Sequence, residues 1–118
     1  MSYDISIVDK KTKQVIELDT PHHITGGTYV IGGTKELSMN ITFNYSEFIY
    51  KVLDGGIKGL DGKPVSDTIP AIEKAILLLK DDATSNYWEK TEGNARKALT
   101  NLLTLAKHAP NGEWAIWY

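Results

Sequence analysis

Apolar and polar residues alternate along the first third of the chain, which is the pattern of β-strands with one buried face. DISIV (residues 4–8) is followed by a polar loop and QVIEL (14–18), so residues 3–18 predict a β-hairpin. TYVI (28–31) and ELSMNITF (36–43) are the next extended segments, rich in β-branched and aromatic residues. Together these segments predict a four-stranded antiparallel meander over residues 3–43.

After residue 43 the spacing of the apolar positions changes to that of amphipathic α-helices. Asn44 and Glu47 resemble a capping box at the start of a first helix. Asp67 or Thr68 can cap a second helix, and Thr91 can cap a third, which is the longest. Three helices that follow a small sheet predict an α+β fold with the helices packed on one face of the sheet.

The strand predicted at 36–43 has two distinct faces. Leu37, Met39 and Ile41 share its apolar side, whereas Asn40 and Thr42 lie on the other side, in line with Asn44 beyond it. EWAIWY (113–118) is a candidate closing strand. A chain of 118 residues is expected to form a single domain over residues 1–118.

Composition narrows the function classes. The net charge is −2 and Lys and Arg are spread along the chain, which argues against nonspecific nucleic-acid binding through a basic stripe. The absence of cysteine excludes disulfides and thiolate catalysis. The N-terminus has no signal-peptide pattern, and the longest apolar run, AILLL (75–79), is too short for a membrane span. We therefore expect a cytoplasmic protein that binds neither nucleic acid nor membrane.

Gly-Gly-Thr occurs twice, at 26–28 and at 32–34. GTYVIGGT (27–34) resembles a P-loop, but Gly33 stands where the phosphate-binding lysine belongs and a strand is predicted to follow. The sequence favours glycines that form strand entries and a tight turn at Gly32-Gly33. A rim of backbone that a ligand approaches closely is the alternative.

Catalytic and metal-binding motifs are not apparent. His22 and His23 are adjacent, so in an extended segment their side chains point to opposite sides, and neither histidine has metal-ligand spacing. No nucleophile motif occurs in the sequence. We predict no catalytic residues, no metal and no cofactor. If the histidines act in function, donation to an anionic ligand is the expected role.

Aromatic residues beside amide side chains suit a planar, hydrogen-bonding ligand such as a base. In this interpretation His22 or His23, with Arg96 or Lys97, faces anionic groups, Trp88 or tyrosines stack, and Asn40 and Asn44 read polar edges. The alternative is that the aromatic residues fill the core and the asparagines cap turns. The candidate ligand-binding residues are His22, His23, Thr28, Tyr29, Asn40, Thr42, Asn44, Tyr45, Trp88, Asn94, Arg96 and Lys97.

The Gly-Gly-Thr repeat, NITFNYS (40–46) and TEGNA (91–95) resemble motifs of a family of short, uncharacterised proteins of bacteria and their phages. The resemblance covers nearly the whole chain. It implies a phage or mobile-element setting and a protein of the host-cell cytosol. Small phage proteins without catalytic motifs often act by binding, either sequestering a nucleotide signal of a host defence system or blocking a defence protein.

These observations lead to two function hypotheses and one that is less favoured. The first is a non-catalytic protein that sequesters a small nucleotide-like ligand to counter host immunity. The second is a protein–protein inhibitor or assembly module that uses aromatic anchors or the segment 113–118. A hydrolase that uses Asp19 and the two histidines is the third. A homo-oligomer is also predicted, because a small open sheet leaves edges that need covering.

Overall fold

The computed structural model describes residues 1–25, 32–84, 86 and 88–118. Within these residues the chain forms five strands and three α-helices. The strands are β1 (Ser2–Val8), β2 (Glu17–His22), β3 (Thr34–Glu36), β4 (Ser38–Thr42) and β5 (Glu113–Trp117). The helices are α1 (Ser46–Val52), α2 (Val65–Leu78) and α3 (Glu92–His108). The predicted α+β class is confirmed.

The main sheet has three strands in the order β4-β1-β5, with β1 antiparallel to both neighbours. Ile5 lies opposite Met39 on one side and opposite Ile116 on the other. The predicted closing strand is therefore present and lies directly beside the first strand. The predicted four-stranded meander is wrong, because β2 pairs with β3 in a separate two-stranded sheet. The segment 28–31, predicted as a strand of the meander, lies outside the described residues.

The hairpin predicted over residues 3–18 separates soon after its turn. Val8 bridges to Val15, and then Ile16 lies between β1 and the start of β4. The Ile16 N–H donates to the Ile7 carbonyl (3.0 Å), the Leu37 N–H donates to the Ile16 carbonyl (2.9 Å), and the Ile7 N–H donates to the Leu37 carbonyl (2.9 Å). We call these three residues the branch point. From it, β2 and β3 leave the main sheet as an arm, defined as residues 16–25 and 32–36.

Hydrophobic burial explains why β4, and not β2, pairs along β1. In β4 the alternate residues Met39 and Ile41 are buried against the same core as Ile5 and Tyr3. By contrast, β2 reads Glu-Leu-Asp-Thr-Pro-His, and none of its side chains is fully buried. Pairing β1 with β4 removes more apolar surface from water, which is the larger favourable term.

The helices cover the inner face of the main sheet. Ile49 of α1, Ile72 of α2 and Leu99 of α3 belong to the same buried cluster as Ile5. Trp114 of β5 is also buried there. The expected packing of three helices on one face of the sheet is therefore confirmed, and the opposite face is left for the functional site.

Two of the three predicted helix starts need correction. Asn44 does not cap α1, because a 3₁₀ turn (Phe43–Tyr45) comes first and the Thr42 hydroxyl accepts its Asn44 N–H. Helix α2 begins at Val65, ahead of the predicted Asp67 or Thr68, because backbone carbonyls of residues 110–112 accept its first N–H groups. The prediction for α3 is confirmed, since the Thr91 hydroxyl accepts the Asn94 N–H at 3.0 Å.

The outer edge of β5 is covered by the chain itself. The Trp114 N–H donates to the Lys63 carbonyl (3.0 Å), and the Trp114 carbonyl accepts the Gly62 N–H (2.9 Å). The Ile116 N–H donates to the Asp61 carboxylate at 2.9 Å. This edge therefore does not present the free backbone groups that strand addition by a partner requires. Among the described helices, none is long and apolar enough to cross a membrane.

Candidate functional site

The outer face of the main sheet presents a row of polar side chains that crosses three strands. Asp4 of β1 lies opposite Asn40 of β4 and opposite Trp117 of β5. The Asn40 amide Nδ2 donates to the Asp4 carboxylate and to the Ser2 hydroxyl, both at 2.7 Å. These contacts orient the amide and the carboxylate. We call Asn40, Asp4 and Trp117 the recognition row.

A second pair of polar residues lies one step along the sheet. Ser6 and Ser38 face each other across β1 and β4, and their hydroxyl oxygens are 2.7 Å apart. Ser6 is buried at this position although it faces away from the helices. Its burial indicates that the outer face is covered at this end of the strands.

The arm covers it. Between the arm and the outer face is an open groove of about 570 Å³, within the range of roughly 300–1,000 Å³ typical of small-molecule sites. On the sheet side the groove is lined by Asp4, Ser6, Ser38, Met39, Asn40 and Trp117. On the arm side it is lined by His22, His23, Ile24, Thr25 and Thr34. The branch point creates this groove, because β2 and β3 leave the main sheet there and the residues that follow line the groove together with the outer face.

His22 fixes the shape of the arm. Its Nδ1 accepts the Ile24 N–H at 3.1 Å, and its Nε2 lies at hydrogen-bond distance from the Glu36 carbonyl. Because Nδ1 is an acceptor, Nε2 carries the proton and donates to that carbonyl. Both ring nitrogens are thus used within the arm. The expected role of donor to a ligand does not suit His22.

His23 is exposed on the arm side of the groove, beside Gly33. A β carbon on Gly33 would lie 3.1 Å from the His23 Cε1 and 2.6 Å from the His22 carbonyl oxygen. Gly32 and Gly33 both have positive φ (78° and 73°), as expected for a turn built from glycine. The strand Thr34–Glu36 follows them, and this excludes the P-loop geometry, which needs a helix at that point.

A phosphate site needs positive charge, whereas the described lining of the groove carries a negative charge. Asp4 is the one carboxylate among the described lining residues, and none of these residues is Lys or Arg. Arg96 and Lys97, predicted to face anionic groups, line a separate depression of about 200 Å³ on α3. Arg96 also donates to the Leu79 carbonyl at 3.3 Å. The structure therefore does not bring the two basic residues to the histidines.

Several other predicted site residues are structural. Thr42 and Tyr45 are buried, and the Thr42 hydroxyl is engaged in the 3₁₀ turn. Asn44 lies beyond the end of β4 and donates through Nδ2 to the Trp88 carbonyl at 3.0 Å. The Trp88 side chain is exposed, away from the groove. Of the row predicted along this strand, only Asn40 lines the groove, because the chain turns into the 3₁₀ turn directly after Thr42. Thr28 and Tyr29 lie outside the described residues.

Asn94 holds the loop that precedes α3. Its Oδ1 accepts the Thr84 N–H (2.8 Å), and its Nδ2, with two hydrogens, lies within hydrogen-bond distance of three acceptors, the Asn86 and Glu89 carbonyls (3.0 Å each) and the Thr84 hydroxyl (3.2 Å). It is 4% exposed. The neighbouring residues of TEGNA contribute as well, since Gly93 admits the loop backbone and Thr91 caps the helix. This motif therefore shapes a loop, and Asn94 does not reach the groove.

Sequence reasoning missed Asp4, Ser6 and Trp117 as site residues. The alternation in DISIV does place Asp4 and Ser6 opposite the apolar face, so that part of the signal was available. Trp117 lies beside Asp4 only because β5 pairs with β1. The register of two strands that are distant in the sequence cannot be predicted from either segment alone.

The chemistry offered by the site is recognition through hydrogen bonds and an aromatic face. Among the described residues, no group of three or more His, Asp or Glu side chains is arranged to hold a metal ion. Comparisons of the chain with protein-family models, with curated proteins and with solved structures gave no match.

Proposed function

We propose that the protein is a non-catalytic binding protein that holds a small nucleotide-like ligand in the groove between the arm and the sheet. The observation that carries this proposal is the recognition row, in which an amide, a carboxylate and an indole converge on one open groove. Such a combination of an aromatic surface with a few oriented polar groups is typical of sites for planar, hydrogen-bonding molecules.

In this proposal the planar part of the ligand lies against the sheet. Trp117 is 54% exposed, lies opposite Asp4 and lines the groove, so its indole is accessible to a ligand for stacking. Ser6, Ser38 and the oriented Asn40 amide supply polar contacts along the floor. The lining has no Lys or Arg among its described residues, so phosphates would extend towards solvent past the exposed His23.

The resemblance to small phage proteins supports a biological setting for this binding. A phage protein that sequesters a nucleotide-like signal lowers its free concentration in the host cytosol and so prevents the activation of a defence system. Tight binding without turnover is sufficient for this role, which agrees with a sequence that has no nucleophile motif.

The experiment is a melting-temperature screen against nucleosides and linear and cyclic nucleotides. A ligand at about 100 times its dissociation constant adds roughly 2.7 kcal/mol to the free energy of unfolding and raises the midpoint. Trp117→Ala should abolish the shift. The matched control is Trp88→Ala, since Trp88 is exposed to a similar extent (58% against 54%) but lies outside the groove.

Absence of a shift with every compound would overturn the proposal, as would an unchanged shift in Trp117→Ala. The bound compound should be recovered chemically intact after incubation. Formation of a product that depends on the groove residues would overturn the non-catalytic part and favour the hydrolase hypothesis.

A second candidate, the blocking of a host defence protein, is favoured by Trp88. The Trp88 backbone N–H donates to Asn86 Oδ1 at 3.1 Å, and the Asn86 carbonyl accepts from Asn94. The Trp88 side chain is exposed. A large aromatic residue on a well-held loop is a typical interface anchor. Segment 113–118 is a weaker anchor than expected, because β5 is paired on one edge and covered on the other.

The two tryptophans separate the two candidates. If a defence protein is the partner, its capture should be lost in Trp88→Ala and retained in Trp117→Ala. Capture that is lost in Trp117→Ala and retained in Trp88→Ala would place the protein partner at the groove and contradict both candidates as stated. The predicted homo-oligomer can be checked on the same samples by light scattering, in which a monomer mass of 13.1 kDa would contradict it.

A further inference from the structure

The recognition row presents hydrogen-bond acceptors to the groove. Asn40 uses both hydrogens of its amide nitrogen, one on the Ser2 hydroxyl and one on Asp4 Oδ1. Its own carbonyl oxygen, Oδ1, has no hydrogen bond to another described residue. A carboxylate has about four acceptor positions, and the Asn40 amide occupies one of those on Asp4. A ligand that meets this row must therefore bring donors.

The local charge strengthens this requirement. Asp4 is the one carboxylate among the described lining residues and faces no Lys or Arg there. Hydrogen bonds to a carboxylate are shorter and stronger than neutral ones, and they are strongest when two parallel N–H groups meet its two oxygens. A ligand that turns acceptor atoms towards Asp4 would instead be repelled, and the acceptors that it covers would lose water without gaining a donor.

Few planar groups present two adjacent donors. Guanine does so, through its ring N1–H and its exocyclic 2-amino group. Adenine and cytosine present a single amino group beside an acceptor nitrogen, and uracil presents one N–H between two carbonyls. Guanidinium compounds share the paired N–H edge of guanine and bind carboxylates in the same bidentate way.

Trp117 favours the same ligands. It lies opposite Asp4 on the adjacent strand, so a planar group held by the carboxylate lies within reach of the indole face. Both the guanine ring system and the guanidinium plane stack on aromatic rings, the latter with a cation–π contribution.

We propose that the groove selects ligands with a planar pair of adjacent N–H donors, bound by the Asp4 carboxylate and stacked on Trp117. Resting on the proposed function, this inference makes the nucleotide-like ligand a guanine derivative held by its base edge. The phosphates of such a ligand contribute little to affinity.

The test is titration calorimetry of the purified full chain with guanosine, its 5′-monophosphate, inosine, adenosine and methylguanidine. Inosine differs from guanosine only in the missing 2-amino group. Guanosine should bind at least about tenfold more tightly than inosine or adenosine, because the lost donor leaves an acceptor unpaired. The monophosphate should bind about as tightly as guanosine.

Asp4→Asn should remove the preference for guanosine, because the amide replaces one acceptor oxygen with a donor. Its oxygen can still accept from Asn40, so the sheet contact is kept. Glu73→Gln is the matched control, since it removes the same charge from an exposed position on α2, outside the groove. The comparison of guanosine with inosine on the unaltered protein needs no variant and decides the matter if Asp4→Asn does not fold.

The outcomes are distinct. Nucleosides that bind without a guanosine preference, or a preference that survives in Asp4→Asn, would overturn this inference and leave the proposed function standing. Methylguanidine binding that requires Asp4, with no nucleoside binding, would support the donor-pair inference and overturn the nucleotide-like ligand. Binding of none of these compounds would overturn this inference, whereas the proposed function is decided by the wider melting-temperature screen.

Discussion

A β carbon added to Gly93 would lie 2.0 Å from the backbone nitrogen of Ala83, so the first turn of α3 and the loop before it are in direct contact at this residue. The loop reaches this position because Asp82 accepts the Gly93 N–H through its carboxylate. Asn94 then binds the following part of the loop. The glycine of TEGNA is therefore required by packing between two backbones.

Gly93→Ala should lower stability, which reverses the usual sign of this substitution in a helix. Alanine in place of glycine normally stabilises a helix by about 1 kcal/mol, whereas overpacking against backbone costs about 1–3 kcal/mol or more. Urea unfolding of the variant measures the net effect. Thr104→Ala, at an exposed position of the same helix, is the control and should be close to neutral. A Gly93→Ala protein as stable as the wild type would contradict the packing.

Gly32 and Gly33 provide a matched pair in the arm. Both have positive φ, so alanine at either position carries a strain of about 1–2 kcal/mol. Gly33 is also crowded, because its β carbon would meet the His22 carbonyl, whereas no atom of the described residues lies within 4 Å of a β carbon at Gly32.

Gly33→Ala should therefore be less stable than Gly32→Ala by about 1–3 kcal/mol, the usual range for overpacking. Chemical unfolding of the two variants gives this difference directly. Since His22 and His23 belong to the arm side of the groove, Gly33→Ala should also bind ligand more weakly. Equal stability of the two variants would show that the His22 carbonyl does not lie this close to Gly33.

The buried indole of Trp114 depends on one hydroxyl. Its Nε1 donates to Thr68 Oγ1 at 2.7 Å, and the same hydroxyl donates to the Val65 carbonyl at 2.8 Å. Thr68→Val keeps the shape but leaves the indole N–H unpaired, at a cost of about 1–3 kcal/mol. Thr68→Ser keeps the oxygen and loses one methyl group, about 0.8 kcal/mol. Thermal unfolding should rank serine above valine, and the reverse order would contradict the hydrogen bond.

Asp9 should give the protein a specific response to acid. Its carboxylate accepts the backbone N–H groups of Thr12 (2.9 Å) and Lys11 (2.8 Å) in the turn after β1. These two hydrogen bonds, with Thr12 the larger cause, lower the pKa of Asp9 below its usual value. The ionised form is thus favoured in the folded state, so its stabilising contribution is present above the unfolded-state pKa of about 3.9.

That contribution is lost as pH falls from about 3.9 through the lower folded-state pKa. The difference in unfolding midpoint between the wild type and Asp9→Asn should be larger at neutral pH than in strong acid. Asp54→Asn, at another exposed position, controls for general loss of a negative charge. A difference that does not change with pH would mean that ionised Asp9 does not stabilise the turn.

Local signals in the sequence were sufficient for much of the fold. Thr91 as a cap, the apolar face of β4 and the closing strand all follow from patterns of a few residues, because caps and strand faces depend on near neighbours. The predicted four-stranded meander was wrong, since the partners of β1 are chosen by burial of Met39, Ile41 and Ile116 together. No short segment of the sequence includes all the strands that compete to pair with β1.

The candidate site could be predicted only in part, because the fold brings together residues that are distant in the sequence. His22, His23 and Asn40, all predicted as site residues, line the same groove. Asn94 and Tyr45 look like ligand residues in the sequence, but burial decides their role. Burial depends on the whole chain, so a polar or aromatic residue type alone cannot separate a binding residue from a core residue.

The position of β1 between β4 and β5 also has a consequence for folding kinetics. Helices α2 and α3 can meet early, whereas β1 must find partners from both distant parts of the chain, which slows folding through loop closure. Asp4 and Trp117 become neighbours only when β1 and β5 have paired. A ligand held between Asp4 and Trp117 would therefore bind only the folded protein. It would lower the rate of unfolding and leave the rate of folding unchanged.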